Sequence, residues 1–443
     1  MIIGRTKSVC PVCLKVLQAE KVTGTDGYIY MEKTCPEHGS FSSLIWEDRL
    51  PGYMRWSISS SVSEPPVDGK KPEKGCPYDC GLCTDHLRKG CCVLLELTNR
   101  CNLRCPVCFA SAGEAAPHDL SMEEIEKQYD YLMAHGGPFN IQLSGGEPTM
   151  RDDLPAIIRL GREKGFSFFQ LNTNGIRLAE ETEYAETLKN AGLNTVFLQF
   201  DGLDDNVYIT LRGKPLLDIK RKAIENCASA GLGIVLVPVI ARDVNEDKAG
   251  KILQFALDNM PAVRGVHFQP VSYFGRCGLD RPDKPVTIPA MLRLIEEQTG
   301  GLMKASDFSG GGAENPYCSF HASYMRHSNG SLKLLQKKSG SCCCCTTSDD
   351  SREFVANQWD GEGERFLLPD GEMSETSSLD DFLEQARQNT FAVSGMIFQD
   401  AFNLDLDRLK RCYICEVGSE HGMVPFCAYN LTDIQGRSLY RNG

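Results

Sequence analysis

Six short apolar runs alternate with helical patterns between residues 93 and 297, and this alternation constrains the fold more than any other feature. The apolar runs, which we interpret as strands, cover 93–98, 140–144, 166–172, 194–200, 233–240 and 263–269. The helical patterns cover 121–134, 152–164, 181–191, 216–230, 246–259 and 288–297. Strands that alternate with helices form a parallel sheet. We therefore predict an α/β fold, a partial (β/α)6 barrel of the TIM type, with its chemistry at the carboxyl ends of the strands.

Cysteine dominates the sequence on both sides of this region, and the chain has 21 cysteines in 443 residues. We divide it into a cysteine-rich metal-binding domain at 1–92, the barrel at 93–290 and a C-terminal region at 291–443 with a further cysteine set. The first residues lack the apolar core of a signal peptide, so C-x2-C and C-x3-C-x2-C spacings favour metal binding over disulfides. We expect a cytoplasmic protein with no transmembrane segment.

The formal net charge of −12 at pH 7 argues against binding to nucleic acid. A protein that binds nucleic acid needs a basic surface to contact the phosphates. The charge carries no information about a small substrate held in a buried site.

The central motif directly follows the first predicted strand. Cys101, Cys105 and Cys108 lie in one short loop and could ligate three irons of a [4Fe–4S] cluster. The fourth iron would then keep an open position, as the metal of a catalytic site does. For this spacing alone, the alternative is a zinc or iron–sulfur site with a fourth ligand from elsewhere in the chain.

Glycines and polar side chains follow the next three predicted strands. They are, in chain order, Gly145, Gly146, Glu147, Asn172, Asn174, Gln199 and Asp201. The Gly-Gly-Glu segment could hold an ammonium group, because glycine lets the backbone approach a ligand closely. Gln199 and Asp201 lie on one side of their strand and could meet ribose hydroxyls.

With this order of motifs, residues 93–275 resemble the core of radical S-adenosylmethionine (SAM) enzymes. The resemblance implies that the three cysteines hold a [4Fe–4S] cluster and that the Gly-Gly-Glu segment contacts the SAM amino group. It further implies SAM contacts at the later Asn, Gln and Asp positions and a low-potential electron donor such as flavodoxin or ferredoxin. One departure is Val107, since the family commonly has an aromatic residue there; Phe109 follows the triad instead.

Two knuckle motifs near the N-terminus predict a separate metal site. Cys10 and Cys13 form the first, Cys35 and His38 form the second, and a predicted strand at 28–31 lies between them. Two such knuckles are typical of a zinc ribbon or a rubredoxin-like iron site. The fourth ligand could be His38 or a distant cysteine, in which case His38 would be an exposed polar residue.

A second triad, Cys76, Cys80 and Cys83, precedes the barrel and predicts a closed auxiliary site, iron–sulfur or zinc. Cys91 or Cys92 could supply its fourth ligand, and we take Cys92 as the candidate. One metal rarely binds both, because the side chains of neighbouring residues diverge.

A further auxiliary cluster is predicted in the C-terminal region, which brings the expected auxiliary iron–sulfur clusters to one or two. Its candidate ligands are Cys318, Cys412, Cys415 and Cys427. The alternative for Cys318 is a buried thiol with no ligand role. The run Cys342–Cys345 cannot surround one metal, and we interpret it as an exposed redox loop or a variable insertion.

The run 75–110, the N-terminal knuckles, the segment 269–276 and the segment 425–430 more narrowly resemble one branch of the family. This branch contains archaeal tetraether lipid synthase and pterin methylase-like proteins, and its members carry a rubredoxin-like iron and several [4Fe–4S] clusters. The implied reaction is SAM cleavage to a 5′-deoxyadenosyl radical, hydrogen abstraction from an unactivated carbon, and C–C or C–S bond formation. The alternatives are radical methylation, peptide modification, and an iron–sulfur electron carrier without SAM chemistry. The expected substrate is a lipid, a small molecule or a peptide.

Overall fold

The structure is a computed structural model. It describes residues 1–57, 63–81, 83–113, 118–312, 314–327, 329–335, 347–359, 389–418 and 422–441. The run Cys342–Cys345 lies outside these described residues, so its predicted role stays a prediction.

The strands are numbered from the N-terminus. They are β1 (Ile2–Val9), β2 (Val16–Thr23), β3 (Ile29–Cys35), β4 (Gly39–Trp46), β5 (Cys92–Thr98), β6 (Val107–Cys108), β7 (Asn140–Gly145), β8 (Phe169–Thr173), β9 (Thr195–Gln199), β10 (Gly233–Val237), β11 (Val239–Ile240), β12 (Val263–Pro270), β13 (Arg276–Cys277), β14 (Ser319–Arg326), β15 (Leu332–Leu334), β16 (Thr390–Met396), β17 (Ile414–Gly418) and β18 (Gly422–Pro425).

The helices are numbered in the same direction. They are α1 (Leu50–Trp56), α2 (Met122–Ala134), α3 (Leu154–Glu163), α4 (Ile176–Glu180), α5 (Tyr184–Asn190), α6 (Asp205–Arg212), α7 (Leu217–Ser229), α8 (Ala249–Asp258), α9 (Ile288–Gln298), α10 (Ser348–Trp359), α11 (Leu406–Leu409) and α12 (Phe426–Tyr429). Within the described ranges, none of these helices combines the length and apolar character that crossing a membrane requires.

The first four strands form an antiparallel ribbon in the order β1-β2-β3-β4. In β3, buried Ile29, Met31 and Cys35 alternate with more exposed neighbours, which is the period of a strand with one face packed. The β1–β2 and β3–β4 turns are the two predicted knuckles, so the ribbon carries both at one end.

The predicted partial barrel is confirmed. Strands β5, β7, β8, β9, β10 and β12 are neighbours in this order and run parallel. Their side chains are buried on both faces because helices cover the outside, which explains the continuous apolar runs in the sequence. The helices α4 and α6 were not predicted; both are short and follow directly after strand ends.

The C-terminal region extends this sheet on both sides, which the sequence pattern did not predict. Strand β16 pairs in parallel with β12, and β17 pairs in parallel with β5. Antiparallel strands β14, β15 and β18 complete the edges. The sheet therefore crosses the predicted boundary at residue 290, while β15 and β18 end it as an open barrel within the described residues.

Asp405 fastens the ribbon to the C-terminal region. Its carboxylate accepts a hydrogen bond from the Thr6 hydroxyl at 2.7 Å and pairs with the Lys21 ammonium at 2.6 Å. It also accepts hydrogen bonds from the backbone N–H groups of Asp407 and Arg408, which begin α11. Burial raises the pKa of Asp405, but the pairing with Lys21 outweighs burial and holds this pKa below its usual value.

We predict that Asp405→Ala lowers the free energy of unfolding by about 3 kcal/mol, because it leaves the half-buried Lys21 ammonium without a partner and removes a helix cap. Guanidinium unfolding under anaerobic conditions would measure the change. The matched control is Glu20→Ala on the same ribbon, whose partner Arg5 is solvent-exposed; its effect should stay within about 0.5 kcal/mol. Equal effects of the two substitutions would contradict this role for Asp405.

Candidate active site and metal centres

A cavity of about 740 Å³ lies inside the barrel, and most of the predicted site residues line it. They are Cys101, Cys105, Cys108, Gly145, Gly146, Glu147, Asn172, Asn174 and Gln199. The loop with the three cysteines follows β5, so it lies at the carboxyl end of the sheet, as the parallel topology requires.

The loop with the three cysteines, the cluster loop, packs against the two glycines after β7. The backbone N–H of Gly146 donates to the Thr98 carbonyl at 2.7 Å, and that of Glu147 donates to the Arg100 carbonyl at 2.8 Å. A Cβ atom on Gly145 would lie 2.3 Å from the Thr98 oxygen, and one on Gly146 would lie 2.1 Å from the Arg100 oxygen. The sequence predicted that a ligand would approach these two glycines closely. In the structure, the cluster loop makes that close approach.

The segment after β12 holds the cluster loop from the other side. The Arg276 guanidinium donates to the Cys105 carbonyl at 2.8 Å and to the Ala112 carbonyl at 3.1 Å. Strand β13 pairs with β6, which contains Cys108. Arg276 was not predicted as a site residue, although the sequence drew attention to the segment 269–276 that contains it.

Glu147 is buried and links the ends of two strands. Its Oε1 accepts hydrogen bonds from the Thr149 hydroxyl and backbone N–H and from the Thr173 hydroxyl. Its Oε2 accepts one bond, from the backbone N–H of Asn174 at 2.7 Å. A carboxylate oxygen has two lone pairs, so Oε2 keeps capacity for one further donor on the cavity side.

The amide side chains at the carboxyl ends of β8 and β9 each bond to a neighbouring polar group, and one of them bonds to the cluster loop. The Asn174 amide donates to the Asn102 side chain of the cluster loop at 2.7 Å. The Asn172 Oδ1 atom accepts from the Gln170 amide at 2.8 Å. The Gln199 side-chain oxygen accepts from the buried Lys220 ammonium at 3.3 Å. The predicted SAM contacts of Asn172, Asn174 and Gln199 remain predictions.

Asp201 requires a correction, because the structure gives its carboxylate other partners than a ribose. The residue is fully buried and does not line the cavity. Its two oxygens accept hydrogen bonds from the Arg212 guanidinium, both at 2.7 Å, and one also accepts from the backbone N–H of Val239. The sequence could not reveal this, since the partner lies in the unpredicted helix α6.

The three cysteines of the cluster loop suit a metal cluster. Burial raises the pKa of the Cys101 thiol to about 12 and also raises that of Cys105. Since metals bind the thiolate form, a bound cationic cluster is needed to hold these sulfurs deprotonated at neutral pH. The donor set fits a [4Fe–4S] cluster with one iron left open.

The N-terminal knuckles bring their four predicted residues together. The ligand atoms of Cys10, Cys13, Cys35 and His38 all lie within 4.8 Å of one another. The His38 Nδ1 atom is 3.4 Å from the Cys35 sulfur and 3.7 Å from the Cys10 sulfur. Burial raises the pKa of Cys35, but hydrogen bonds to its sulfur from the backbone of Glu37 and from His38 outweigh burial and lower it to about 7. This arrangement fits one tetrahedral ion.

The second triad, Cys76, Cys80 and Cys83, lines one small recess together with His86 and Pro425. Cys92 is not part of it. Cys92 instead lines the barrel cavity, and its sulfur lies 3.8 Å from that of Cys91 in a buried pair beside Tyr413. The prediction that Cys92 completes the triad therefore receives no support from the geometry.

Cys415 lies closer to the second triad than was predicted. It pairs in β17 and β18 with Pro425, which lines the recess of the triad. After burial, the charge of Cys80 is the largest influence that raises the pKa of Cys415. Cys415 is consequently a candidate fourth ligand for Cys76, Cys80 and Cys83.

Cys318, Cys412, Cys415 and Cys427 also lie near one another, as predicted for the C-terminal set. Burial raises the pKa of all four thiols; the charges of Cys415 and Cys318 further raise that of Cys412, and the charges of Cys412 and Cys318 further raise that of Cys427. The half-buried Arg408 donates to the Cys318 sulfur at 3.3 Å. A guanidinium beside these sulfurs stabilises the thiolate form that an iron–sulfur cluster needs.

Comparison with known proteins agrees with these sites. The model of the radical SAM superfamily matches residues 95–256, which include the cluster loop and the Gly-Gly-Glu segment. The model of the HMPTM N-terminal zinc ribbon domain matches residues 2–47, which include both knuckles. Residues 95–256 are therefore a radical SAM domain, and residues 2–47 are an N-terminal zinc ribbon.

Among individual proteins, it is similar to a 7,8-dihydro-6-hydroxymethylpterin dimethyltransferase of Methanocaldococcus jannaschii, with 43% identity over 310 residues. This match covers 69% of the chain and 60% of that protein. An Fe-coproporphyrin III synthase of Methanosarcina barkeri is 33% identical over 177 residues, which are 37% of the chain and 43% of that protein. The chain thus spans at most 60% of the length of these two relatives.

Two solved structures match about half of the chain. Streptococcus suis SuiB bound to S-adenosylmethionine matches 48% of this chain and 48% of its own, with a TM-score of 0.41 and 18% identity. Methylornithine synthase matches 48% of this chain and 64% of its own, with a TM-score of 0.37 and 18% identity.

We predict that Gly146→Ala removes the iron of one cluster, because its Cβ would collide with the Arg100 carbonyl and displace the cluster loop. Iron and sulfide analysis after anaerobic reconstitution would measure the loss. Gly202→Ala is the matched control, just after β9 and two strands away from β7, where a Cβ meets only Val207 at an ordinary 3.7 Å. Full iron content in Gly146→Ala would show that the close packing is dispensable.

We predict that Cys35→Ser and His38→Ala each remove one metal ion per chain from the ribbon, because four protein ligands complete a tetrahedral site. Zinc and iron would be quantified by elemental analysis of the full chain. Thr34→Ala, an exposed neighbour in the same strand, should keep the ion. If His38→Ala also keeps it, His38 is not a ligand.

Proposed function

We propose that this protein is an enzyme that reductively cleaves SAM and uses the resulting radical on a substrate held in the barrel cavity. One observation carries the proposal: the cluster loop and the Gly-Gly-Glu segment line the same cavity as a second set of polar side chains, most of them neutral. A [4Fe–4S] cluster held by Cys101, Cys105 and Cys108 would supply one electron to the SAM sulfonium, which yields methionine and a 5′-deoxyadenosyl radical.

The residues around the cluster loop would bind and orient SAM. The second lone pair of Glu147 Oε2 accepts a hydrogen bond from the amino group in the methionine part of SAM. Asn172, Asn174 and Gln199 offer amide groups to the nucleoside part. The apolar side chains Leu103 and Val107 line the same cavity and exclude water, which strengthens the electrostatic contacts to SAM.

The remaining part of the cavity is rich in neutral polar groups. Gln142, Gln170 and Gln269 line it, together with the His267–Ser394 pair, whose Nδ1 and Oγ atoms are 2.8 Å apart. Burial lowers the pKa of His267 to about 4, so its ring is neutral at pH 7. Several neutral donors and acceptors match a neutral heterocycle that presents both N–H and C=O groups.

Two acidic side chains also line this part of the cavity, and both already have protein partners. Glu314 accepts a hydrogen bond from the Ser319 hydroxyl, and Asp350 accepts one from the Thr347 hydroxyl at 2.7 Å. Gln142 and Gln170 also have a protein partner, Asn172, but each amide keeps further donor or acceptor capacity for a substrate.

These side chains favour a small ring compound over a lipid or a peptide among the expected substrates. A long alkyl chain would contact the apolar side chains of the cavity but would use none of the remaining donor and acceptor capacity of these amides. The pterin named in the methanogen relative is a compound of the favoured kind. We propose a reduced pterin or a ring of similar hydrogen-bonding character as the substrate.

The radical would abstract a hydrogen atom from a carbon of this substrate, giving 5′-deoxyadenosine and a substrate radical. The substrate radical would then take a carbon or sulfur atom from a donor molecule: the new C–C or C–S bond forms as the bond between that atom and the donor breaks, and one electron from the low-potential electron donor reduces the donor fragment that is left. Transfer of a methyl carbon to the ring is the form of this step that the name of the 43% identical relative supports. The electron for SAM would come from a low-potential donor of the cytoplasm such as flavodoxin or ferredoxin, with the auxiliary cysteine sites as further electron donors or acceptors.

We predict that the anaerobically reconstituted protein produces 5′-deoxyadenosine from SAM in the presence of dithionite. A variant with Cys101→Ala, Cys105→Ala and Cys108→Ala should produce none, because it cannot hold the cluster that reduces SAM. Chromatography with mass detection would quantify the product. Cys227→Ala, a buried thiol on α7 outside every predicted site, is the control and should retain the activity.

The same assay can test the substrate class. Deuterium exchange into 5′-deoxyadenosine from a deuterated reduced pterin, and none from a deuterated isoprenoid lipid, would support the ring compound. The reverse pattern would overturn the substrate proposal. No cleavage of SAM by a protein with a reducible [4Fe–4S] cluster would instead favour an electron carrier.

A further inference from the structure

A buried ion pair lies directly beneath the cluster loop. The Arg212 guanidinium makes two hydrogen bonds of 2.7 Å to the Asp201 carboxylate, and a third of 3.1 Å to the carbonyl oxygen of Val107. Val107 is the residue before Cys108. The exposed fractions of the two charged side chains are 5% for Arg212 and 0% for Asp201. A chain with no use for this pair would avoid it, since burying two charges is costly.

We propose that the Asp201–Arg212 pair is a positioning and tuning device that sets the reduction potential of the cluster held by Cys101, Cys105 and Cys108. This inference rests on the proposed function and goes beyond it, because it assigns a role to two residues that do not touch SAM or the substrate. Arg212 would favour the reduced cluster and Asp201 would oppose it.

The position of Arg212 supports this role. Arg212 lines the cavity together with all three cysteines of the loop, and its charge interacts with those of Cys105 and Cys108. Reduction adds one negative charge to the cluster. In a buried site of low dielectric constant, a nearby positive charge stabilises the reduced form more than the oxidised form and so raises the potential. The Asp201 carboxylate has the opposite sign and effect.

The pair is also held rigidly, so its two charges keep fixed distances from the loop. Asp201 accepts a further hydrogen bond from the backbone N–H of Val239 at 3.0 Å. The Asn245 amide donates to the Asp201 carbonyl at 2.9 Å and fixes the end of β9. Because the two charges keep a fixed separation, the Asp201 carboxylate offsets a constant part of the electrostatic effect of Arg212 on the cluster.

Arg212 differs from Lys220, the other basic group buried beneath this end of the cavity. Burial lowers the pKa of Lys220 to about 7, so this side chain loses part of its charge near neutral pH. For Arg212, burial also disfavours the charged form, but Asp201 raises its pKa above the usual value. Arg212 therefore keeps a full positive charge, and it is the group that can set a potential independently of pH.

A purely structural role of the Asp201–Arg212 pair predicts different shifts in the reduction potential. If Arg212 only anchored the Val107 carbonyl, any substitution in the pair would loosen the loop and would act in one direction. A tuning role instead requires that loss of the negative charge and loss of the positive charge shift the potential in opposite directions. The sign of the shift therefore separates the two roles.

The experiment is a redox titration of the full-length protein followed by electron paramagnetic resonance. The SAM-binding cluster is recognised among the other clusters because its spectrum changes when SAM is added. The variants are Asp201→Asn, Arg212→Gln, the double variant, and Arg212→Lys, which keeps the charge. Iron content and circular dichroism establish that each variant is loaded and folded.

We predict that Asp201→Asn raises the potential, and that Arg212→Gln lowers it. Each change should alter the ratio of reduced to oxidised cluster at a fixed solution potential by tenfold or more, about 59 mV for one electron. The double variant and Arg212→Lys should lie between these two. Shifts of the same sign, or unchanged potentials, would overturn the proposal.

Failure to load Asp201→Asn, which is nearly isosteric with the native residue, would also overturn it, since the pair would then be a requirement of assembly. The same titration distinguishes a failure of the tuning role from a failure of the proposed function. If no cluster of the wild-type protein responds to SAM, the proposed function fails. If one responds but the variants keep its potential, only the tuning role fails.

Discussion

The whole site depends on the close packing of the cluster loop between two backbone segments. On one side, Gly145 and Gly146 after β7 leave no room for a Cβ against the Thr98 and Arg100 carbonyls. On the other, Arg276 binds the carbonyl oxygens of the loop, and β13 pairs with β6. Because the loop contributes three ligands from eight consecutive residues, its backbone must be fixed before a cluster can bind with one iron left open.

Charge removed from solvent is the second constraint. At several places a guanidinium group lies beside a carboxylate or a thiol. Arg212 lies beneath the cluster loop with Asp201, and Arg408 lies beside Cys318 in the C-terminal set. Arg441 binds Glu96 at the end of β5, close to where the cluster loop begins. Guanidinium groups suit these positions, because they stay charged when buried and bind planar partners through several hydrogen bonds.

Much of the fold was readable from the sequence, and the reason is physical. Parallel strands buried on both faces give continuous apolar runs, so all six central strands were located to within a few residues. The cysteine loop, the Gly-Gly-Glu segment and the knuckles were found because their spacing is local. The added strands β16 and β17 were missed, since nothing in a short apolar segment states which distant strand will pair with it. The partner of Asp201 and the surroundings of Cys92 could not be predicted for the same reason: Arg212 lies in an unpredicted helix, and Tyr413 is remote in the sequence.

The sequence by itself determined the class of fold, the order of the site elements and the residues able to bind metal. Those properties follow from periodicity and spacing along the chain, which short-range sterics and hydrogen bonding translate directly into local structure. Only the tertiary structure decided which cysteines become neighbours, that the C-terminal region completes the sheet, and that several neutral amides line the cavity among apolar side chains. These depend on burial, because burial alone brings remote side chains together and makes their charges and unpaired hydrogen-bonding groups costly.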